Sequence, residues 1–441
     1  MVPPAALSIH LAIGQAYAWS AFKTPLEKGV GISGVASALP FTLGIIMLGV
    51  SSAVFGTKVD TNGPRWAMAV ATACFSGGFL VSGVGLYLDQ YWLVVLGYGF
   101  LGGIGLGIGY ISPVSTLIKW FPDRPGLATG LAIMGFGGGA LIASPLTADL
   151  LRAFGAAGSS PNPSVTGIGS TFVVMGLLYG VFMSVGWLLI RVPPDGWTPP
   201  GWDPSASKQG TMISRGQVSA ANAIKTPQFW LLWVVLCFNV TAGIGILEKA
   251  NPIFQDYFRD STPAQTIGAA AVGFVSILSL ANSAGRIAWS SLSDVLGRKN
   301  MYRIYLGVGA LLYLLLTLIQ DGNKAVFLIA TILILSFYGA GFATVPAYLR
   351  DLFGTYQVGA IHGRLLTAWS VAGVLGPVIV NALADAGKAS GATGPDIYTT
   401  AFTIMIVLLA IGFVCNELIR PVASRFHEPE ESTTTTAGAQ T

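Results

Sequence analysis

The sequence predicts an all-α integral membrane protein in which twelve transmembrane helices form two pseudo-symmetric six-helix bundles. Of the 441 residues, 53% are apolar and only 10% are charged, whereas a soluble domain carries about 25% charged residues. Apolar windows of helix length predict the twelve spans, and a repeat at a nearly constant offset divides them into two halves.

Each window is long enough to cross a bilayer, which takes about 17 to 25 apolar residues. No Lys or Arg precedes Lys23, so the first window is predicted to remain as a membrane helix rather than to be cleaved as a signal peptide. The windows cover residues 4–24, 35–56, 66–87, 91–118, 126–150, 170–190, 228–250, 264–292, 303–320, 325–349, 359–383 and 398–418.

A proline-rich stretch separates the sixth window from the seventh. It predicts a cytoplasmic linker over residues 192–227, between an N-terminal bundle of residues 1–191 and a C-terminal bundle of residues 228–420. Residues 428–441 are acidic and then Thr-rich, which predicts that residues 421–441 form a disordered cytoplasmic tail. The linker prolines are Pro193, Pro194, Pro199, Pro200 and Pro204.

The basic residues of the loops predict that both termini are cytoplasmic. With the N-terminus inside, 15 Lys and Arg residues face the cytoplasm and 7 face outward, and Arg286 within the membrane completes the total of 23. Loops rich in Lys and Arg stay on the cytoplasmic side, so we expect a multi-pass protein of the inner or plasma membrane.

The net charge of +4 gives no sign of nucleic-acid binding. Cys74, Cys237 and Cys415 all lie in apolar windows, which argues against a disulfide framework.

The second half of the chain repeats features of the first half. Independent matches at nearly one period indicate a duplicated six-helix unit, and such halves are typical of transporters with a site near the membrane midplane. The matched residues are Asp60 and Asp294, and Gly63 and Gly297, at an offset of 234, Pro113 and Pro346 at 233, and Pro145 and Pro377 at 232.

The repeated aspartates lie in two loops of the form Asp-x-x-Gly-x-Arg/Lys, after the second and eighth windows. An aspartate at a helix end can accept hydrogen bonds from backbone N–H groups and pair with an arginine of a neighbouring helix. We predict that the two loops hold the cytoplasmic side closed until the bundles rock; the alternative is that they are ordinary turns. The predicted gating residues are Asp60, Gly63, Arg65, Asp294, Gly297 and Arg298.

These loops resemble the signature of the major facilitator superfamily, and further strings resemble one branch of it, the oxalate/formate antiporter family. The strings are Gly14-Gln15-Ala16-Tyr17-Ala18-Trp19, Lys119-Trp120-Phe121-Pro122-Asp123-Arg124, Asn282-Ser283-Ala284-Gly285-Arg286 and Phe342-Ala343-Thr344-Val345-Pro346-Ala347-Tyr348. The resemblance spans nearly the whole chain and implies a transporter of small organic anions that works by alternating access.

Arg286 is the only charged residue between Ala264 and Ser293. A charge at the centre of a membrane helix costs at least about 2.5–3.5 kcal/mol and is kept where it faces an interior cavity and meets an opposite charge. No acid lies within one helical turn of Arg286, so we predict that the missing anion is the substrate. It precedes Asp294 by eight residues, which is ~12 Å of helix and places it near the midplane. The alternative is a structural arginine that binds helix-end carbonyls.

The oxalate exchangers of the family, by resemblance, hold a dicarboxylate between this arginine and a lysine on the eleventh helix, inside an aromatic cage. The eleventh window lacks a lysine and carries Arg364 only near its cytoplasmic start. One cation suits one carboxylate, so we expect formate, lactate, pyruvate or a similar acid, with oxalate:formate exchange as the alternative. The predicted substrate-binding residues are Arg286, Tyr17, Tyr110, Tyr338 and Trp369; ordinary packing is the alternative role of the four aromatic residues.

Proton coupling is left open by the sequence. His10 and His362 can carry protons, but both lie toward the cytoplasmic ends of their windows, where solvation at the interface is the simpler expectation. All 19 acids fall in loops or near helix ends. This pattern favours anion exchange, or symport in which the substrate brings the proton.

We therefore expect a monomeric carrier in the lipid bilayer that needs no cofactor or metal and binds no nucleic acid. A membrane enzyme would need clustered His, Cys or acidic residues, and these are sparse here. A sensor that binds the anion without transporting it would add a signalling domain, for which the linker and the tail are too short.

Overall fold

The computed structural model describes residues 2–194, 196–202, 213–214, 216–259, 261–319 and 323–429. Every regular element within those ranges is a helix. Ten of the described helices are long and apolar enough to cross a membrane. The predicted all-α membrane fold is confirmed.

The first half of the chain forms six spans, α1 to α6. The helix Gly34–Tyr87 contains both α2 and α3, because Gly63, with φ 78° and ψ 171°, interrupts it. A positive φ is strained for any residue with a Cβ atom, which explains glycine at this turn. The other spans are α1, made of Val2–Ile13, the 3₁₀ turn Gly14–Ala18 and Ser20–Val30, then α4 (Tyr91–Trp120), α5 (Pro125–Ala153) and α6 (Val165–Leu189).

The second half forms six further spans, α7 to α12. Gly297, with φ 85°, separates α8 from α9 just as Gly63 separates α2 from α3. The spans are α7 (Pro227–Phe258), α8 (Ala264–Leu296), α9 (Arg298–Leu318), α10 (Lys324–Phe353), α11 (Val358–Ala389) and α12 (Gly394–Leu418). Twelve spans result once α1 is included and Gly34–Tyr87 is divided.

Among the described residues the two halves meet chiefly where α5 packs against α8 and α2 against α11, and α5 also contacts α10. Glycines allow the backbones to approach closely, as small residues do between membrane helices. A Cβ atom on Gly56 of α2 would lie 2.8 Å from Cα of Ala360 in α11, and one on Gly130 of α5 would lie 2.7 Å from the carbonyl oxygen of Arg286 in α8. These pairs bring Arg286 to the boundary between the halves.

The start of the predicted disordered tail is ordered, which corrects that prediction for residues 421–429. The backbone N–H of Glu428 donates to the carbonyl of Gln217 (2.8 Å). The Glu428 carboxylate accepts from the Ser219 backbone (3.3 Å) and from Nδ2 of Asn222 (2.9 Å). A charged acceptor for these linker groups holds the segment in place. Residues 195, 203–212 and 215 of the predicted linker and 430–441 of the predicted tail lie outside the described residues.

Candidate functional site

Arg286 of α8 is fully buried at the boundary between the two halves. Its Nε donates to Oδ1 of Asn282, one turn earlier (3.2 Å), and its Nη1 donates across the boundary to the carbonyl of Ile133 in α5 (3.2 Å). Its Nη2 has no hydrogen-bond partner among the described residues. No aspartate or glutamate in the described ranges forms an ion pair with it. The Tyr17 hydroxyl interacts with the guanidinium, but the described chain supplies it with no carboxylate, so Nη2 keeps hydrogen-bonding capacity for an anion.

Two phenylalanine rings flank the guanidinium, one from each half. Its central carbon lies 5.8 Å from the ring centroid of Phe136 in α5 and 5.5 Å from that of Phe342 in α10. A ring face attracts a cation at such distances, and the attraction grows when water is excluded. The charge is thus stabilised by aromatic faces and backbone carbonyl oxygen rather than by a carboxylate.

The predicted aromatic residues surround this centre. The hydroxyl groups of Tyr17 in α1 and Tyr338 in α10 lie 3.0 Å apart and join the two halves. The Tyr110 ring of α4 lies 5.5 Å from Trp369 of α11, in an edge-on arrangement. The charge of Arg286 acts on all three tyrosine hydroxyls. Neither the Tyr110 hydroxyl nor Nε1 of Trp369 has a partner in the described ranges.

Phe136 and Phe342 complete a connected ring network that sequence reasoning did not predict. Phe136 contacts Tyr17, Tyr110 and Trp369 at centroid distances of 5.1, 5.4 and 5.3 Å. Phe342 could have been found, because it follows Tyr338 by four residues and so shares its helix face; Phe136 lies in a Gly-rich run without such a signal. We call the whole set the Arg286 cage; it consists of Tyr17, Tyr110, Phe136, Tyr338, Phe342 and Trp369.

His10 and His362 are not solvated at the interface, which corrects that expectation. Their exposed fractions are 0% and 1%. Both rings pack on Tyr110, at 5.4 Å for His10 and 5.9 Å for His362, and Nε2 of His10 lies 3.2 Å from the Tyr110 carbonyl oxygen. Packing against Tyr110 of α4, which no spacing along the chain relates to either histidine, removes both rings from water.

The two predicted gating aspartates each cap a helix of the opposite half. The carboxylate of Asp294 accepts from the backbone N–H groups of Gly126 and Leu127 in the first turn of α5, both at 2.9 Å. Oδ2 of Asp60 accepts from the N–H of Ala360 in the first turn of α11, at 2.7 Å. A helix N-terminus attracts an anion through its free N–H groups and its dipole. We call these two contacts the paired latches.

The two predicted gating arginines behave differently. Arg298 is buried and pairs with Asp294 at 2.5 Å and with Asp351 at 3.3 Å. Arg65 is exposed and forms no ion pair among the described residues. The reason lies in register: Arg298 follows its loop glycine directly, whereas Pro64 takes that position in the first loop. The gating role of Arg65 stays a prediction that no ion pair among the described residues supports.

Known proteins resemble this chain along almost its whole length. The oxalate:formate antiporter of Oxalobacter formigenes is 27% identical over 428 residues, covering 97% of this chain and 94% of that protein. Apicoplast pyruvate carrier 1 of Toxoplasma gondii is 25% identical over 403 residues, covering 81% and 71%.

Solved structures share the fold. The transporter FucP in the outward conformation aligns with a TM-score of 0.66 at 15% identity, covering 94% of this chain and 98% of that one. A bacterial homologue of ferroportin aligns with a TM-score of 0.66 at 14% identity. The family model described as Major Facilitator Superfamily matches residues 5–346 and 250–439. With twelve spans in two halves and a family match over most of its length, the chain belongs to the major facilitator superfamily.

Proposed function

We propose that this transporter exchanges small organic anions across the membrane, most readily monocarboxylates such as formate, lactate or pyruvate. The observation that carries the proposal is the fully buried Arg286, whose Nη2 has no hydrogen-bond partner among the described residues and which no described carboxylate neutralises. A planar guanidinium suits carboxylate oxygens. The Tyr110 hydroxyl, also without a partner among the described residues, offers a second donor on a ring that packs on Phe136, which in turn faces the guanidinium.

The number of cations favours a monocarboxylate. Arg364, the only Lys or Arg of α11 before Lys388, donates to the carbonyl of Ala360 one turn earlier (3.3 Å), at the end of the helix where Asp60 binds. It is not part of the Arg286 cage. A dicarboxylate bound at the cage would therefore keep one charge without a cationic partner, which is costly at low dielectric.

The match of one buried cation to one bound anion also favours exchange as the mode of transport. With a monocarboxylate bound, the centre is neutral, whereas the empty carrier must carry one buried positive charge through the closed state. A buried charge without its partner costs several kcal/mol, about 3–5 when one member of a pair is removed. The loaded carrier should therefore cross more often than the empty one, and efflux of one anion should drive uptake of another.

The moving units are proposed to be residues 1–191 and 228–420, joined by the linker of residues 192–227. The paired latches bridge these units at the face that carries both termini, which the loop charges predict to be cytoplasmic. Releasing both latches lets the two halves rock about the central anion, the usual form of alternating access in this architecture.

Proton symport is the second candidate, because His10 and His362 are buried against Tyr110 beside the cage. An imidazole is the side chain best suited to bind and release a proton near neutral pH. The relative in Oxalobacter formigenes keeps oxalate:formate antiport as a further alternative, and a sensor that binds without transport is the alternative of another class.

Counterflow in proteoliposomes tests the proposal. Vesicles loaded with unlabelled formate, lactate, pyruvate or oxalate are diluted into the labelled anion, with and without a pH gradient. We expect monocarboxylate counterflow that needs no pH gradient and is lost in Arg286→Gln. Arg152→Gln, which removes an exposed arginine in the last turn of α5 that pairs with Asp149, is the matched control and should behave as the wild type.

Each alternative gives a different result in the same vesicles. Oxalate exchange faster than any monocarboxylate would favour the dicarboxylate alternative. Accumulation driven by a pH gradient without internal anion would favour symport. Anion binding without flux would favour the sensor, and full activity in Arg286→Gln would overturn the role of Arg286.

A further inference from the structure

Two glycines, one from each half, hold the side chain of Arg286 in place. We infer that Gly137 of α5 and Gly339 of α10 are positioning residues that fix the guanidinium between Phe136 and Phe342 with Nη2 free. The inference rests on the proposed function, because it assumes that Arg286 binds the transported anion.

The Gly137 position is filled by Arg286 itself. A Cβ atom built on Gly137 would lie 2.8 Å from Nε and 3.3 Å from Cδ of Arg286, and 3.1 Å from Oγ of Ser283. Carbon and nitrogen atoms that are not bonded pack well only at about 3.5–4.0 Å. A methyl group here must therefore displace the arginine side chain, since all three neighbours belong to side chains.

The Gly339 position supports the same side chain from the other half. A Cβ atom on Gly339 would lie 3.1 Å from Cγ of Arg286, and would also clash with the carbonyl oxygen of Asn282. The Nε atom of Arg286 bonds to the Asn282 side chain. The stem of the arginine therefore runs between two glycine surfaces, with Cγ near α10 and Nε near α5.

Each glycine comes with a phenylalanine from the same helix. Phe136 precedes Gly137 directly, and Phe342 lies three residues after Gly339, so each helix offers a space for the stem and a ring for the charged end. The two helices belong to different halves. We call these two glycines and two phenylalanines the Arg286 clamp. Rocking the halves would separate its two helices, so the position of Nη2 depends on which state the carrier is in.

The clamp makes a prediction about affinity. A shift of about 1 Å in a positioned binding group can cost up to about a hundredfold in function. We expect Gly137→Ala to raise the KM for monocarboxylate counterflow by about tenfold or more, with maximal rate changed much less. The neighbouring Gly138→Ala is the matched control, because a Cβ there would meet only Oγ of Ser283, at an ordinary 3.8 Å.

Two further measurements separate positioning from folding. Gly137→Ala and Gly138→Ala should give equal yields of monodisperse protein with similar melting temperatures. In an Arg286→Lys background the planar guanidinium is absent and the ammonium group can rotate freely, so its direction no longer depends on Gly137. There Gly137→Ala should raise KM by less than about threefold, since interacting residues are not additive.

The outcomes are distinct. If the wild type exchanges no carboxylate, the proposed function fails and this inference fails with it. If the wild type exchanges normally but Gly137→Ala has the KM of Gly138→Ala, or the same effect in the Arg286→Lys background, only the inference fails. An unstable Gly137→Ala beside a stable Gly138→Ala with no change in KM for the folded fraction also overturns it.

Discussion

The Asp294 carboxylate of α8 accepts the backbone N–H of Gly126 at 2.9 Å and so closes the N-terminus of a helix from the opposite half of the chain. Asp60 does the same for α11 through Ala360. Because each half caps a helix of the other, the two contacts can only form together when the halves meet at this face. One rocking movement of the halves would therefore break both latches. Loss of one latch alone should loosen the closed face only in part.

Asp294→Asn should loosen this face. The amide keeps one acceptor oxygen but loses the charge, and a hydrogen bond to a charged group contributes about 1.5–3 kcal/mol. We expect a thiol introduced as Ser52→Cys, at a buried position against Gly363, to react several-fold faster with a maleimide. Asp149→Asn, in an exposed ion pair at the opposite end of α5, is the control. Unchanged labelling in Asp294→Asn would count against the latch.

The arginines of the two loops should contribute unequally to the stability of the folded carrier. Arg298 is buried between Asp294 and Asp351, and breaking a buried pair costs about 3–5 kcal/mol because a charge is left without its partner. Arg298→Gln should lower the melting temperature by several degrees, consistent with a loss of that size. Arg65→Gln should stay within about 0.5 kcal/mol of the wild type, as surface substitutions do. Thermal unfolding in detergent checks both, and equal losses would contradict the asymmetry.

The fold could be predicted from the sequence because both of its signals can be read along the chain without knowing which helices are in contact. Apolar windows mark the spans, and the Asp60 and Asp294 loops repeat at a fixed offset. The loop glycines needed a positive φ, and both Gly63 and Gly297 have one. The repeat does not extend to the arginines of the two loops. Arg65 lies two residues after Gly63, whereas Arg298 lies one residue after Gly297, so the two side chains leave their helices in different directions.

The centre of the site was only partly predictable. A lone charge such as Arg286 stands out in an apolar segment, but its neighbours come from five other helices that no spacing relates to it. Phe136 looks like any other apolar residue until α5 is placed against α8. The same is true of His10 and His362, which are buried because both rings pack on Tyr110 of another helix.

Removing the Tyr110 hydroxyl should weaken anion binding without harming the fold. Tyr110→Phe deletes a buried hydroxyl that has no partner among the described residues, so folding loses no hydrogen bond, while a bound carboxylate loses a donor. A bond to a charged group is worth about 1.5–3 kcal/mol, which corresponds to a rise in KM of about tenfold or more. Counterflow kinetics measure it.

Tyr179 of α6 supplies the control for that substitution. Its hydroxyl is also buried without a partner in the described ranges, but its ring packs on Phe75 and Phe79, away from the Arg286 cage. Tyr179→Phe should leave KM unchanged. A rise in KM in both variants would indicate a general packing effect and contradict a specific role for Tyr110.

The hydrogen bond between Tyr17 and Tyr338 should contribute to the closed arrangement of the halves. It joins α1 to α10 at 3.0 Å beside Arg286, and a neutral hydrogen bond contributes about 0.5–1.5 kcal/mol. A double-mutant cycle of Tyr17→Phe and Tyr338→Phe, read by thermal unfolding, should give a coupling energy in that range. Additive losses would mean that the two hydroxyls act independently. Since a bound carboxylate can compete for the same hydroxyls, adding the transported anion should shrink the coupling, and an unchanged value would place the anion away from this pair.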